Sequence, residues 1–287
     1  MQHSNNFLNF KLGHYQELDL LLEKVYKEGG YDFRDYRHGT VIRRLEKRLH
    51  ATETRTYRDY MQFLDTHPEE YEKFVECLTI KVSGFFRNSY AFQQVARMVL
   101  PDLVSEKKKR QDQSLRVWST ACARGEEPYS IAILFAEFLG RERQGFNISI
   151  YTTDISRQAL KEAQAGIYSP KNVEGLSDTI LENYFNHTDG DYEVMADIKQ
   201  MLDFSYFDLT SIARPPFMNL DLIFCCNILI YLQKQLQERV LNMLYHSLNS
   251  RGYLILGESE SLASNLHEKL VCLDRKAKIY KKVGIHL

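Results

Sequence analysis

The feature that most constrains this chain is an alternation in its second half. Short apolar runs take turns there with amphipathic stretches of helical length. LRVWS (115–119) reads as a strand, and a helix follows from about Pro128 to Leu139. NISIYTT (147–153) is the next strand, with Ser156 placed to cap the helix behind it. The two strands begin about 30 residues apart, as a βαβ unit requires. DLIFCCN (221–227) and GYLILGE (252–258) repeat the pattern around a helix from about Gln233 to Leu248, and KIYKKV (278–283) closes it. The expectation is a parallel α/β sheet with helices on both faces. Between Tyr168 and Phe207 the alternation breaks. Turn signals at Ser169-Pro170 and Asp189-Gly190 flank strand-like runs at Tyr192–Met195 and Met201–Tyr206. This stretch reads as a small β-subdomain inserted at about 168–207.

The first hundred residues carry a different period. Leu18, Leu21, Leu22, Val25 and Tyr26 fall on one helical face, and Gly29-Gly30 ends that helix. Further helices are expected over Thr40–His50, Tyr57–Asp65 and Pro68–Leu78, and from Asn88, a cap, towards Glu106. The polar run KKKRQDQS (107–114) is the best boundary candidate. The division expected is a helical domain over 1–106, a linker over 107–114 and an α/β domain over 115–287.

Composition excludes several classes. The net charge of -1 selects neither nucleic acid nor membrane as partner. Five cysteines without a C-x-x-C pair argue against a zinc site or disulfide framework, and for a reducing cytoplasm. The nine histidines are scattered, so no metal site is expected. No apolar run is long enough to span a bilayer, and the N-terminus lacks the pattern of a signal peptide.

In a doubly wound sheet the ligand sits at the carboxyl ends of the strands. TACARGEEPYS (120–130) follows the first strand. With one glycine and two adjacent carboxylates it makes a poor phosphate loop but suits a ligand's ammonium. Glu126 and Glu127 equally suit the first turn of a helix, where the dipole favours acids. Asp154 ends the second strand, where a carboxylate commonly takes ribose hydroxyls. Asn227 and Tyr231 lie at and after the end of the third strand. Outside the sheet, KVSGFFRNSYAF (81–92) sets Arg87 beside two phenylalanines. Arginine can hold a carboxylate bidentately, although a solvated arginine at a helix junction is the blander reading.

Taken in order, these pieces resemble the chemotaxis receptor methyltransferase (CheR) family over nearly the whole chain. LTIKVSGFFRNSYAF, VWSTACARGEEPYSIAI, YTTDIS, AGIYSP, FDL, DLIFCCNILIY and KAKIYKK all fall in family order, and Gly-Glu-Glu-Pro-Tyr-Ser is the most specific part. The resemblance implies a Rossmann-like S-adenosylmethionine-dependent methyltransferase domain with a small β-subdomain insertion, preceded by an all-helical N-terminal domain. It implies Glu127 on the methionyl ammonium, Asp154 on the ribose, Asp208 and Leu209 on the adenine side, and Asn227 and Ile228 in the cofactor pocket. Lys81, Ser83 and Arg87 would border the cofactor from the N-terminal domain. Arg87 and Tyr231 would face the incoming glutamate. S-adenosylhomocysteine would be the product. The partner implied is the cytoplasmic helical region of methyl-accepting chemotaxis receptors, met by a cytoplasmic monomer. The basic helix face of Arg43, Arg44, Lys47 and Arg48 matches the family's receptor-facing helix, and the insertion offers an edge for strand addition.

The chain departs from the family at several positions. Lys81 and Ser83 stand where Asn and Thr are usual, and Arg124 replaces a small residue. Cys226 replaces the common Arg, and Asp208 a frequent Asn. The cations Lys81 and Arg124 motivate a second reading, a cofactor- or receptor-binding module with weak or lost methyl transfer. A nucleic-acid amino-methyltransferase fits less well. CNILIY occupies the place of its Asn/Asp-Pro-Pro-aromatic loop, and ARPPF (213–217) precedes the strand. A dehydrogenase lacks its G-x-G-x-x-G.

Overall fold

The computed structural model describes residues 15–79, 83–211 and 214–284. The chain forms two compact units. One takes the chain up to Ile80 together with Tyr231–Leu236, and the other takes Lys81–Ile230 with Gln237–Leu287.

In the helical unit, α1 (15–24) widens into a π turn, Val25–Gly29, and Gly30 stops it at φ 78° with its N–H on the Tyr26 carbonyl. The apolar stripe Leu18, Leu21, Leu22 and Val25 is fully buried. α2 (His38–Ala51), α3 (Tyr57–Thr66) and α4 (Glu70–Leu78) follow, and Thr56 and Asp59 form a capping box at the start of α3. Phe33 stands edge-on to both Tyr36 and Phe74 at the centre of this core. The distant segment Tyr231–Leu236 completes the unit. Arg37 donates its N–H to the Tyr231 carbonyl at 2.8 Å, and Gln233 donates to the Asp35 carbonyl at 2.8 Å.

The second unit begins with α5 (Ser89–Gln94), capped by the Asn88 side chain, a π turn over Val95–Val99, and α6 (Leu100–Lys109). Pro101 has no N–H for the carbonyl four residues earlier, and the widened turn directly before it absorbs that defect. Phe92, Val95, Val99 and Leu103 share one core with Val117, Leu222 and Ile255. These helices therefore belong with the sheet. The units part at Ile80/Lys81, and 107–114 is the last turn of α6 and the lead into the first strand rather than a free linker.

The chain then runs β1 (Ser114–Ser119), α7 (Glu126–Leu139), β2 (Asn147–Asp154), α8 (Arg157–Ala165), β3 (Ile167–Tyr168), α9 (Pro170–Val173), α10 (Asp178–Tyr184), β4 (Phe185–Thr188) and β5 (Asp191–Val194). It continues α11 (Ala196–Lys199), β6 (Leu202–Tyr206), β7 (Leu220–Cys225), α12 (Lys234–Ser247), β8 (Leu248–Leu256), β9 (Leu270–Asp274) and β10 (Ile279–Lys282). The main sheet has the order β6-β2-β1-β7-β8-β10-β9. Its first five strands are parallel, while β10 pairs antiparallel with both β8 and β9.

The α/β class with a β-insertion is as expected, with two corrections. The sheet is mixed, because the four residues between β9 and β10 can only turn the chain back as a hairpin, which sets β10 antiparallel to β9 and, beside it, to β8. The run at 201–206 is not part of the insertion. It is β6, the parallel edge strand beside β2, with Asp154 opposite Tyr206. The inserted sheet is β3-β5-β4 alone.

Candidate functional site

Strand β1 lies between β2 on one side and β7 on the other, so the chain leaves it in one direction and later returns on the opposite side. At such a reversal, open α/β sheets take their ligands outside the carboxyl ends of the strands. Four of the loops there carry the residues singled out by the sequence.

The loop after β1 is pinned on both flanks. Thr120 donates its N–H to the Phe224 carbonyl at 3.1 Å, and Cys122 donates to the Thr153 carbonyl at 3.0 Å. Ala123 and Gly125 take positive φ values of 49° and 95°. A Cβ at Gly125 would sit 2.9 Å from the Tyr168 hydroxyl and 3.0 Å from the Ala163 Cβ, so only glycine lets the loop enter α7 this tightly.

Glu126 and Glu127 open α7. The half-buried Glu127 accepts from the Ser119 hydroxyl at 2.8 Å. Desolvation drives its carboxyl up to about 7, reinforced by the charge of Glu260 and opposed by hydrogen bonds from Ser119 and Cys226 and by the charge of Arg87. Glu126 is only 2% exposed, and its Oε2 has no hydrogen-bond partner among the described residues. Burial raises its carboxyl as well, partly offset by its hydrogen bond with Ser83. Arg124 does not enter the pocket in an ion pair. Its guanidinium meets Glu162 of α8 at 3.2 Å.

Asp154 is buried at the end of β2 and ties two loops together. Its Oδ2 accepts the Ala123 N–H at 2.9 Å and its Oδ1 the Ser156 N–H at 2.8 Å. Beyond β6, Asp208 folds back on Thr210, accepting its N–H at 2.8 Å and its hydroxyl at 2.6 Å, while Leu209 is buried.

After β7, Asn227 adopts φ 61° and Ile228 is half-buried. This turn is gripped by Glu260, a residue the sequence reading did not single out. Oε2 of Glu260 accepts from the N–H groups of Asn227 at 3.1 Å and Gly257 at 2.7 Å, and Oε1 accepts from Leu229 at 2.7 Å. Because its partners are backbone groups, no side-chain spacing advertises it.

The segment from Ser83 to Arg87 belongs to the sheet unit, not to the helical domain expected to supply it. Phe86 sits at φ 48° and donates its N–H to Ser130 of α7 at 2.9 Å. Phe85 packs edge-on against Tyr168 and Phe185, and Phe86 against Phe92. The paired phenylalanines thus anchor the exposed Arg87, whose charge reaches Glu127. Lys81 lies outside the described residues.

Other expected residues fall elsewhere. Tyr231 groups with the helical unit through its carbonyl bond from Arg37. The basic face of α2 is half consumed. Arg48 makes two hydrogen bonds of 2.7 and 2.8 Å to Glu70, which is 1% exposed and also accepts from Tyr60. Arg44 donates to the Cys77 carbonyl at 3.1 Å. Arg43 and Lys47 are the exposed pair.

The residues suit S-adenosylmethionine by their chemistry. Carboxyls with no ion pair among the described residues stand at the end of β1, and an acid ends β2. Fold and site together define a Rossmann-like methyltransferase domain. Residues 81–279 match the model of the CheR methyltransferase S-adenosylmethionine-binding domain, and residues 16–79 match its all-alpha domain. The chain belongs to the CheR methyltransferase family. It is 32% identical to chemotaxis protein methyltransferase 2 of Vibrio cholerae over 242 residues, 83% of either chain. It is 29% identical to the chemotaxis protein methyltransferase of Escherichia coli over 245 residues, 83% of this chain and 82% of that one. An uncharacterized 104.1 kDa protein of Rhodobacter capsulatus is 32% identical over 86% of this chain, which spans 26% of that longer protein. Among the described residues no helix is long and apolar enough to cross a membrane.

Proposed function

We propose that this chain methylates glutamate side chains on chemotaxis receptors, forming methyl esters. The observation that carries the reading is the set of buried carboxyls at the switch point. Among the described residues, Glu126 and Glu127 form no ion pair, and burial raises both. A site built this way is incomplete without a cation, and the methionyl ammonium supplies one.

Glu127 takes that ammonium, Asp154 the ribose, Asp208 and Leu209 the adenine side, and Asn227 and Ile228 line the pocket. Ser83 and Arg87 border it, and Lys81 precedes them in the same motif. When bound, S-adenosylmethionine supplies a methyl group already activated by its sulfonium. A glutamate carboxylate, with a reference pKa of about 4.3, arrives ionised and needs no general base. The protein therefore has to orient the acceptor, strip part of its hydration and keep the reacting groups in line. Arg87 holds the acceptor carboxylate at the mouth of the site. Arg43 and Lys47, the exposed cations of α2, meet the acidic receptor helices.

The test is methyl transfer from labelled S-adenosylmethionine to a receptor cytoplasmic fragment, read as labelled methanol released from the methyl esters by base. Transfer to glutamates is expected, and Arg87→Ala should cut it at least about tenfold with cofactor affinity less affected. Cofactor binding without transfer to any glutamate-bearing receptor would replace this reading with that of a binding module.

A further inference from the structure

Glu260 has no assigned part in this site, yet its surroundings are built around it. It is 3% exposed and makes no ion pair among the described residues. Its two oxygens collect N–H groups from two loops, Gly257 at the end of β8 and Asn227 and Leu229 after β7, and the Ile230 N–H joins them. A turn closed by the Glu260 N–H on the Gly257 carbonyl, at 2.9 Å, brings the side chain back over the strand ends. A Cβ at Gly257 would lie 2.7 Å from Oε2 and 2.8 Å from the Asn227 nitrogen, so the clasp closes only over a glycine. Burial raises the Glu260 carboxyl, and the converging N–H groups oppose that by favouring the negative charge at their focus.

We propose that Glu260 is a positioning residue of the cofactor site, whose carboxylate holds Asn227 in its left-handed turn and whose charge sets the field in which Glu127 receives a cation. The proposal rests on the cofactor reading of the site given above. Two functions meet in one side chain. The clasp fixes the backbone of the Asn227–Ile230 loop, because three of its N–H groups have a single focus. The charge adds to that of Glu127 and makes the pocket more demanding of a cationic ligand. The titratable and charged groups that act on Glu127 are Arg87 from the segment before α5, Cys226 after β7, and Glu260 itself. Cys122 and Cys225 also feel these carboxyls, but burial holds both thiols far above their ordinary range and therefore neutral.

The experiment is calorimetric titration with S-adenosylhomocysteine across pH 5.5–8.5, on the wild-type chain, Glu260→Gln and Gly257→Ala, with thermal unfolding followed in parallel. Glutamine keeps the size and one acceptor but removes the charge. In Glu260→Gln the pH midpoint of binding should fall by roughly 0.5–1 unit, because a like charge no longer opposes ionisation of Glu127. The dissociation constant above that midpoint should rise about tenfold as the loop loosens. Gly257→Ala, which displaces the clasp and keeps the charge, should raise the dissociation constant and leave the midpoint in place. A Glu260→Gln protein that melts lower but binds with the wild-type midpoint and affinity makes Glu260 a structural staple and overturns the proposal. Absence of binding by the wild-type chain overturns the cofactor reading instead.

Discussion

The two ends of the parallel strands use carboxylates in opposite ways. At the end where the strands begin, Asp112, Asp221, Asp102 and Glu106 each have a cation. Lys107, 7% exposed, lies 2.7 Å from Asp112 and 3.0 Å from Asp221. Asp102 meets Lys281 at 2.6 Å, and Glu106 meets Arg251 at 2.9 Å. Lys281 holds Asp102 below the ordinary carboxylate range against burial, Lys109 and then Arg251 hold Glu106 there, and Lys107 brings Asp112 down to about 2. At the opposite end, Glu126, Glu127 and Glu260 are raised, each mainly by burial. Charge that is already paired holds the fold together, whereas carboxyls buried without an ion pair mark the place where the fold gives up stability for binding.

The largest effect should come from breaking the paired end. Lys107→Met strands Asp221, which is 3% exposed and otherwise accepts the Arg116 N–H at 2.9 Å and the Asn249 amide at 2.8 Å. Removing one partner of a buried pair costs roughly 3–5 kcal/mol. Urea unfolding should show that loss, with unchanged cofactor affinity per folded molecule. A loss under about 1 kcal/mol would place the pair among weak surface bridges.

Glu127→Gln should do the reverse. A charge-assisted bond to the ammonium contributes about 1.5–3 kcal/mol, so affinity should fall roughly 10- to 100-fold. The folded carboxyl is raised from 4.5 to about 7. The stability it contributes is therefore complete below about pH 4.5 and lost as pH rises through about 7. Cofactor affinity runs the other way, rising through the same window as the carboxylate forms. Glutamine should flatten both profiles and leave the protein no less stable at pH 8. A variant that retains the wild-type pH profile for binding would remove Glu127 from the ammonium site.

Asp154→Ala tests a residue that serves both purposes. Ribose hydroxyls would lose an acceptor, weakening binding about tenfold. Stability should fall as well, because the Ala123 and Ser156 N–H groups lose their partner. An unchanged dissociation constant would leave Asp154 as a loop tie only.

The comparison also explains what was legible in the sequence. The strands β1, β2, β7 and β8, the caps Asn88 and Ser156, and the β-insertion follow from local pattern, and so the crevice at the strand ends could be placed. β6 was assigned to the insertion because a half-exposed edge strand of five residues looks the same whether it pairs with a hairpin or with β2. β9 went unseen because LVCLD mixes exposed and buried positions without alternation. Long-range pairing hides more. Nothing near Arg48 in sequence reveals Glu70, 22 residues away, so the basic face of α2 seemed twice as large as it is. Glu260 was invisible because a clasp on backbone N–H groups leaves no residue-type signature.

The smallest effect should come from Arg124, which with Lys81 is one of the two cations that put the cofactor site in question. A cation in the loop after β1 ought to repel the ammonium. Instead the side chain is 44% exposed and directed to Glu162 on α8, at 3.2 Å. The loop itself is held without the guanidinium, since the Tyr168 hydroxyl donates to the Arg124 carbonyl at 2.8 Å. An exposed bridge of this kind contributes at most about 1 kcal/mol and weakens with salt. What remains is a screened field on Glu126, whose carboxyl Arg124 lowers slightly against the larger effect of burial. Arg124→Ala should therefore change cofactor affinity less than about twofold, and Glu162→Ala no more than that. A tenfold gain in affinity for Arg124→Ala would show that the side chain swings from α8 into the pocket, and would make Glu162 the residue that keeps it out.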